Sequence, residues 1–310
     1  TGVGATLSIR PYKMVNKELF NTLQSCGKGG PQGSPEAEKI LALNPDIVFS
    51  LYTSDKAAMD DLQQKIGKPV VVLSYGKTEN VKKSIALLGD IMNRKERANE
   101  LLSFISDTEN YLSSIGEGID KSKKATVYLG CQSNYGTHGI ESSSANYSIF
   151  DVSKIRNVLD EYVGKNGETF KGYQKSVDWE ILKSLNPQRI VLDASGLYIL
   201  KTQLQDKDKS EILNSLSAFQ NGEIYLQMPY NAYYTNLETA YADAYFDAWV
   251  QYHDIVAPEK LNFDYVAKAR EIYTLFLGKD CYDDVAKIMH GGFQTKLDIS
   301  KIQNLDISKI

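Results

Sequence analysis

Two rhythms of apolar and polar positions run through the chain. Short apolar, mostly β-branched runs bounded by turn residues occur at 46–51, 69–73, 125–130, 189–193 and 223–228, and such runs read as buried strands. Between them, apolar residues return every three or four positions over 36–43, 55–66, 151–162, 178–185 and 208–218, the spacing of one helix face. Strands and helices in alternation predict parallel sheets with helices packed on their faces. Residues 1–35 are rich in Gly and Pro and read mostly as loop, with a short helix near 16–24.

One segment breaks the alternation. From Arg94 to Ile115 there is neither Pro nor Gly, and Ala98, Leu101, Leu102, Ile105, Leu112 and Ile115 recur at helical spacing. Twenty-two residues make a helix of about 33 Å. Gly116, Gly118 and the basic cluster Lys121, Lys123, Lys124 end it. A single long helix between two strand–helix sets is a stiff strut. A further helix is expected at 237–256, striped by Leu237, Tyr241, Tyr245, Ala248, Trp249 and Tyr252 as core packing, followed by a helical stretch at 264–290 and a tail at 297–310 that carries the hexapeptide LDISKI twice.

The two sets share a phrase. EKILALNPDIVF at 38–49 returns as EILKSLNPQRIV at 180–191, with a Glu seven residues before the Pro of Leu-Asn-Pro each time. Local chemistry accounts for each copy: Leu-rich turns form a helix, Asn-Pro ends it because Pro disfavours helix in the preceding residue, and Ile and Val open a strand. Two copies in equivalent places point to two related lobes. The expected fold is therefore α/β, two Rossmann-like lobes with parallel sheets joined by one long rigid helix, with a ligand cleft between lobes at the carboxyl ends of the strands. The expected domains are 1–93 (N-terminal lobe), 94–120 (interdomain helix) and 121–310 (C-terminal lobe with a helical extension).

Composition narrows the function. The 310 residues are 42 % apolar and 24 % charged, as in soluble globular domains. The net charge, 35 − 39 = −4, makes no case for nucleic acid or a lipid surface. No apolar stretch reaches the 18 or so residues of a membrane span. Tyr is abundant, 20 against 10 Phe and 2 Trp, which suits a partly wet site. Cys26, Cys131 and Cys281 are scattered and odd in number, so they form no disulfide scaffold and a thin ligand set for a metal cluster. His138, His253 and His290 are equally scattered, against a direct zinc or manganese carrier. No strand-anchored GxGxxG, Walker loop, GxSxG or HExxH is present.

GKGGPQGSPEAEKILALNPDIVF, the long helix, ATVYLGCQSNYGTHGIESSSANY, VDWEILKSLNPQRIVLDASG and EIYLQMPYNAYYTNLETAYADAYF together resemble the helical-backbone (class III) solute-binding proteins of ABC importers. That class carries iron chelates, haem, cobalamin and, in one branch, molybdate or tungstate. The resemblance covers about 28–278 and implies a binding protein, not an enzyme. Its partners would be a small-molecule ligand and the importer's permease. It would have no cofactor beyond a transported iron complex, and would be a monomer in the periplasm or a cell-surface lipoprotein, reaching the membrane only through the permease or an N-terminal lipid anchor. In the family one Glu on each lobe docks onto Arg pockets of the permease, and the matching positions are Glu38 and Glu180. The family begins with a strand and turn before the region matching 1–35, so the first lobe is expected to lack its first strand. The ligand expected is an iron chelate, siderophore or haem-like. The alternatives are a molybdate or tungstate carrier of the same family and a metallocluster enzyme with a similar two-lobed fold.

The loops after strands carry the candidate contacts. In the first lobe these are the glycines of 27–33, which either expose backbone N–H groups to an anion or form a plain turn, and Tyr52 and Tyr75, each facing either cleft or core. In the second they are Tyr135 and His138, in a long polar loop at 131–147, the stretch 194–198, and Tyr230, Asn231, Tyr233 and Tyr234 after the last strand. Arg10, the one Arg before Arg94, either pairs with an anionic ligand or lies on the surface. His253 and His290 fall in helical stretches and read as structural.

Overall fold

The computed structural model describes residues 10–27, 34–51, 56–74, 78–134, 136–166, 172–230 and 236–305. These fall into two compact units, one of residues 16–106 and one joining the described residues up to Val15 to those from Asp107 onward. The smaller unit holds α2 (Lys17–Thr22), α3 (Ala37–Leu43), β1 (Val48–Ser50), α4 (Lys56–Ile66), β2 (Val70–Val72), α5 (Thr78–Ile91) and the first half of α6 (Lys95–Ile115). The short α1 (Pro11–Val15) belongs to the larger unit, not to the first lobe where the sequence places it, because Arg10 and Pro11 are buried there. In the smaller unit β1 and β2 pair in parallel, Val48 opposite Val70 and Ser50 opposite Val72. Met59, Leu62 and Ile66 recur on one face of α4 and close with Ile40 over these strands.

The larger unit follows α6 with β3 (Val127–Gly130), β4 (Ser143–Ser144), α7 (Ser148–Val152), α8 (Val158–Asn166), β5 (Tyr173–Gln174), α9 (Trp179–Leu185) and β6 (Arg189–Asp193). It continues through α10 (Leu197–Gln205), α11 (Lys207–Ser215), α12 (Ser217–Gln220), β7 (Ile224–Gln227), α13 (Leu237–Tyr252), α14 (Tyr265–Leu277), α15 (Tyr282–Ile288) and α16 (Ile299–Gln303). Its sheet is parallel in the order β3–β6–β7, and every residue of these strands is buried, as an apolar run without alternation requires. Ile105, Leu112 and Ile115 of α6 are fully buried, and each such side chain stabilises the fold by about 1.5–3 kcal/mol. Among the described residues no helix is long and apolar enough to cross a membrane.

Several elements depart from the sequence reading. The helix expected at 151–162 is two helices, broken where Lys154 takes a left-handed φ of 51°. The one expected at 208–218 breaks at an extended Leu216. Gly278 (φ 76°) caps α14 and divides the 264–290 stretch. Helices α5 and α10 and the β4–β5 ladder were not expected. The first LDISKI copy is structured: Asp298 caps α16 and Ile302 is buried, while all but Leu305 of the second copy lies outside the described residues.

The duplicated phrase folds alike in both units. Each copy is a seven-residue helix that ends on Asn in the left-handed region, Asn44 at φ 44°, ψ 55° and Asn186 at φ 40°, ψ 61°. Each helix ends before its Pro as expected, and the residue before the Pro is left-handed and not extended. Asn reaches the left-handed region because its short polar side chain tolerates it, and Pro then prevents the helix resuming. Asn44→Gly should leave the smaller unit's stability within about 0.5 kcal/mol, whereas Asn44→Ala should cost about 1 kcal/mol, as read by urea unfolding.

Candidate ligand-binding site

In the larger unit the loops after β3, β6 and β7 leave the same end of one sheet, the end where open α/β sheets bind ligands. The loop after β3 is held from below by polar groups. Gln203 of α10 accepts from the Ile140 N–H (3.1 Å) and donates to Glu141 (2.6 Å). Ser142 Oγ donates to the Gln132 carbonyl (2.8 Å), and Ser144 Oγ donates to the Gln132 side chain (2.7 Å). At Gly196 the loop after β6 comes so close that an added Cβ would sit 2.3 Å from the His138 carbonyl and 2.6 Å from Cys131 Cβ. Glycine is required there for the two loops to touch.

Asp193, at the last position of β6, joins them. One oxygen accepts from Ser133 N–H (3.1 Å) and Oγ (2.9 Å), the other from Ser195 N–H (3.0 Å) and Oγ (2.8 Å). Burial raises its pKa and these four donors oppose the rise.

The rim above is lined by hydrogen-bonding groups. His138 is half-buried, 6.3 Å from the Tyr173 ring, and its Nε2 lies 3.0 Å from the Asn134 carbonyl. A carbonyl only accepts, so Nε2 carries a proton and donates to it. Thr137 shares a short hydrogen bond with Tyr198, and Ser142 Oγ, its proton given to the Gln132 carbonyl, accepts from the Tyr173 hydroxyl (3.1 Å). After β7, the Asn236 N–H and side-chain amide both donate to the Tyr230 carbonyl at 2.8 Å. The Tyr230 ring lies 5.9 Å from Tyr147. Burial and the nearby Asp243 and Asp193 carboxyls push the Tyr230 phenol above its ordinary value.

Behind β7 the helix α13 buries carboxyls. The sequence reading made one face of α13 the core, but Asp243, Asp247 and Gln251 are buried too, and Trp249 is only half-buried. Asp243 accepts from the Met228 N–H (3.2 Å) at the start of the loop after β7, and its other oxygen has no partner among the described residues. Gln227, with its amide nitrogen toward α13, donates to both oxygens of Asp247 at 3.1 Å and accepts from Tyr147. Burial and the Asp247 and Asp193 charges raise the Asp243 pKa, and burial raises that of Asp247. Glu238, buried in the first turn of α13, is pushed up to about 7 by burial. Among the described residues no group of three or more His, Cys, Asp or Glu could hold a metal ion.

Of the residues expected at the site, His138 and Tyr230 stand on loops at the carboxyl end of this sheet. Tyr52, Tyr75, Tyr135, Asn231, Tyr233 and Tyr234 lie outside the described residues, as do 28–33 of the Gly-rich loop. Arg10 is 5 % exposed and donates to Tyr12 (2.7 Å), so it is not a surface residue. Glu38 and Glu180 are exposed in the first turns of α3 and α9. Asp193, Thr137 and Tyr173 were not expected individually. A lone Asp ending an apolar strand before Ala-Ser-Gly was a usable signal for the first, while Thr137 and Tyr173 offered none.

The family profile described as periplasmic binding protein matches residues 11–229. The chain belongs to that family. It is a solute-binding component of an ABC importer and not an enzyme, and proteins of this family carry a transported ligand rather than a resident cofactor. It is similar to the high-affinity heme uptake system protein IsdE of Staphylococcus aureus, 24 % identical over 212 residues that make up 67 % of this chain and 68 % of that one. A periplasmic solute binding protein of Veillonella parvula has the same fold, with a TM-score of 0.69 at 18 % identity over 98 % of this chain and 84 % of that one. So does the molybdate periplasmic binding protein MolA of Haemophilus influenzae, at 0.61 and 18 %, over 87 % and 82 %.

Proposed function

We propose that this protein captures an iron chelate, a siderophore complex or haem, outside the cytoplasm and delivers it as a monomer to the permease of its importer. Free periplasmic and lipid-anchored cell-surface forms both fit this role. The observation that carries the ligand class is the rim of the larger unit: an imidazole, tyrosines and small hydroxyls, set in front of buried carboxyls. Flat aromatic and neutral hydrogen-bonding groups suit the broad face of a chelate. A compact dianion such as molybdate calls for a nearby cation, and the charged neighbours acting on Asp243 are carboxyls. The heme uptake role printed for the Staphylococcus relative points the same way. Glu38 and Glu180 serve as matched docking points for the permease. Titration with haemin, a ferric hydroxamate, a ferric catecholate, cobalamin and molybdate, followed by tryptophan fluorescence quenching, tests the ligand class. Submicromolar binding of haemin or of one ferric chelate is expected. Binding of molybdate alone would replace this reading with the oxyanion carrier.

A further inference from the structure

We infer that Asp193 is a positioning residue for ligand binding, holding the loops after β3 and β6 as one preformed rim; the inference rests on the binding site proposed above. The geometry begins with strain. Cys131, the first residue after β3, is held at φ 60°, a conformation that costs a non-glycine residue energy and persists only where its surroundings impose it. Three bonds hold the following residues: the Gln132 N–H donates to the Ser142 carbonyl (3.1 Å), and Ser133 gives both its N–H and its hydroxyl to Asp193. The same carboxylate takes both donors of Ser195, one residue before the Gly196 that touches Cys131 and His138. Four donors from segments about sixty residues apart thus converge on a group that is 1 % exposed. The left-handed turn at Cys131 sets the direction in which the chain leaves the sheet toward Asn134 and His138, so fixing Ser133 aims the His138 edge of the rim. A ligand then meets loops that are already ordered, which lowers the entropy lost on binding.

Asp193→Asn keeps the shape and sets an amide NH2 against a backbone N–H, so one loop must let go. The expected result is at least a tenfold loss of haemin or ferric-chelate affinity. In the ligand-free protein, amide exchange should speed up across 131–140 and 194–198 while β3 itself stays protected. Arg189→Lys is the control. It perturbs the other end of the same strand, where Arg189 bonds the Val250 and Gln251 carbonyls, and should reduce stability without changing affinity or loop exchange. Adding Cys131→Gly, which adopts the left-handed turn without help, should recover part of the affinity lost in Asp193→Asn. If Asp193→Asn does not fold, the Ser133→Ala/Ser195→Ala double variant, which retains the backbone donors, should show a smaller loss of the same kind. Wild-type affinity and exchange in Asp193→Asn, or equal affinity losses in Asp193→Asn and Arg189→Lys, would overturn the inference. Were the wild type to bind none of the probes, the ligand reading would fall, and the exchange measurement would still decide whether the carboxylate orders the two loops.

Discussion

Replacing Glu238 by Gln should stabilise the protein at pH 8 by up to about 3 kcal/mol and leave it nearly unchanged at pH 4. Glu238 is 6 % exposed with one oxygen lacking a partner among the described residues, and its pKa rises from 4.5 to about 7. Burial is the cause that raises it. A raised carboxyl favours folding when protonated. That contribution is fully present below about pH 4.5 and is lost as pH rises through about 7, at about 1.36 kcal/mol for every tenfold weakening of the acid. The carboxyls of Asp193, Asp243 and Asp247, also raised, act in the same direction. Thermal melts of wild type and variant from pH 4 to 8 should therefore converge on the acid side and separate on the alkaline side. Parallel curves would mean that Glu238 is solvated.

Reversing both Glu38 and Glu180 to Lys should abolish transport and leave ligand affinity intact. Both side chains are exposed in the first turn of a seven-residue helix that ends on a left-handed Asn. In the larger unit, Asp178 accepts from the Glu180 and Ile181 N–H groups at 2.8 and 3.3 Å, so the helix start is capped without help from Glu180. Losing a favourable charge at a helix N-terminus costs about 0.3–1 kcal/mol each, too little to unfold the protein. Ion pairs at a docking surface govern recognition and on-rate. The double Glu→Gln variant should retain part of the activity, and normal uptake by the Glu→Lys pair would remove these residues from the interface.

What the sequence conveyed follows from how each element is stabilised. The strands at 127–130, 189–193 and 224–227 were legible because buried parallel strands are uninterrupted apolar runs. The seven-residue helices were legible as helices, yet the left-handed Asn at their ends was not, because the general preference before Pro points to extended backbone. Helix α13 misled because it is buried almost all round, and a 3.6-residue stripe identifies only its apolar part. Asp243 and Asp247 look like solvent-facing residues until Met228 and Gln227 are seen bonding to them. The site was legible as a set of loops following strands. The tie at Asp193 was not, because it pairs residues about sixty positions apart that no local pattern connects.

The most direct test of an iron-chelate carrier is the absorbance spectrum and metal content of the protein isolated from iron-replete cells without added ligand. A visible band above about 400 nm, where such chromophores absorb, with near-stoichiometric iron and loss of both on denaturation, is the predicted result. Colourless protein carrying molybdenum or tungsten would contradict it.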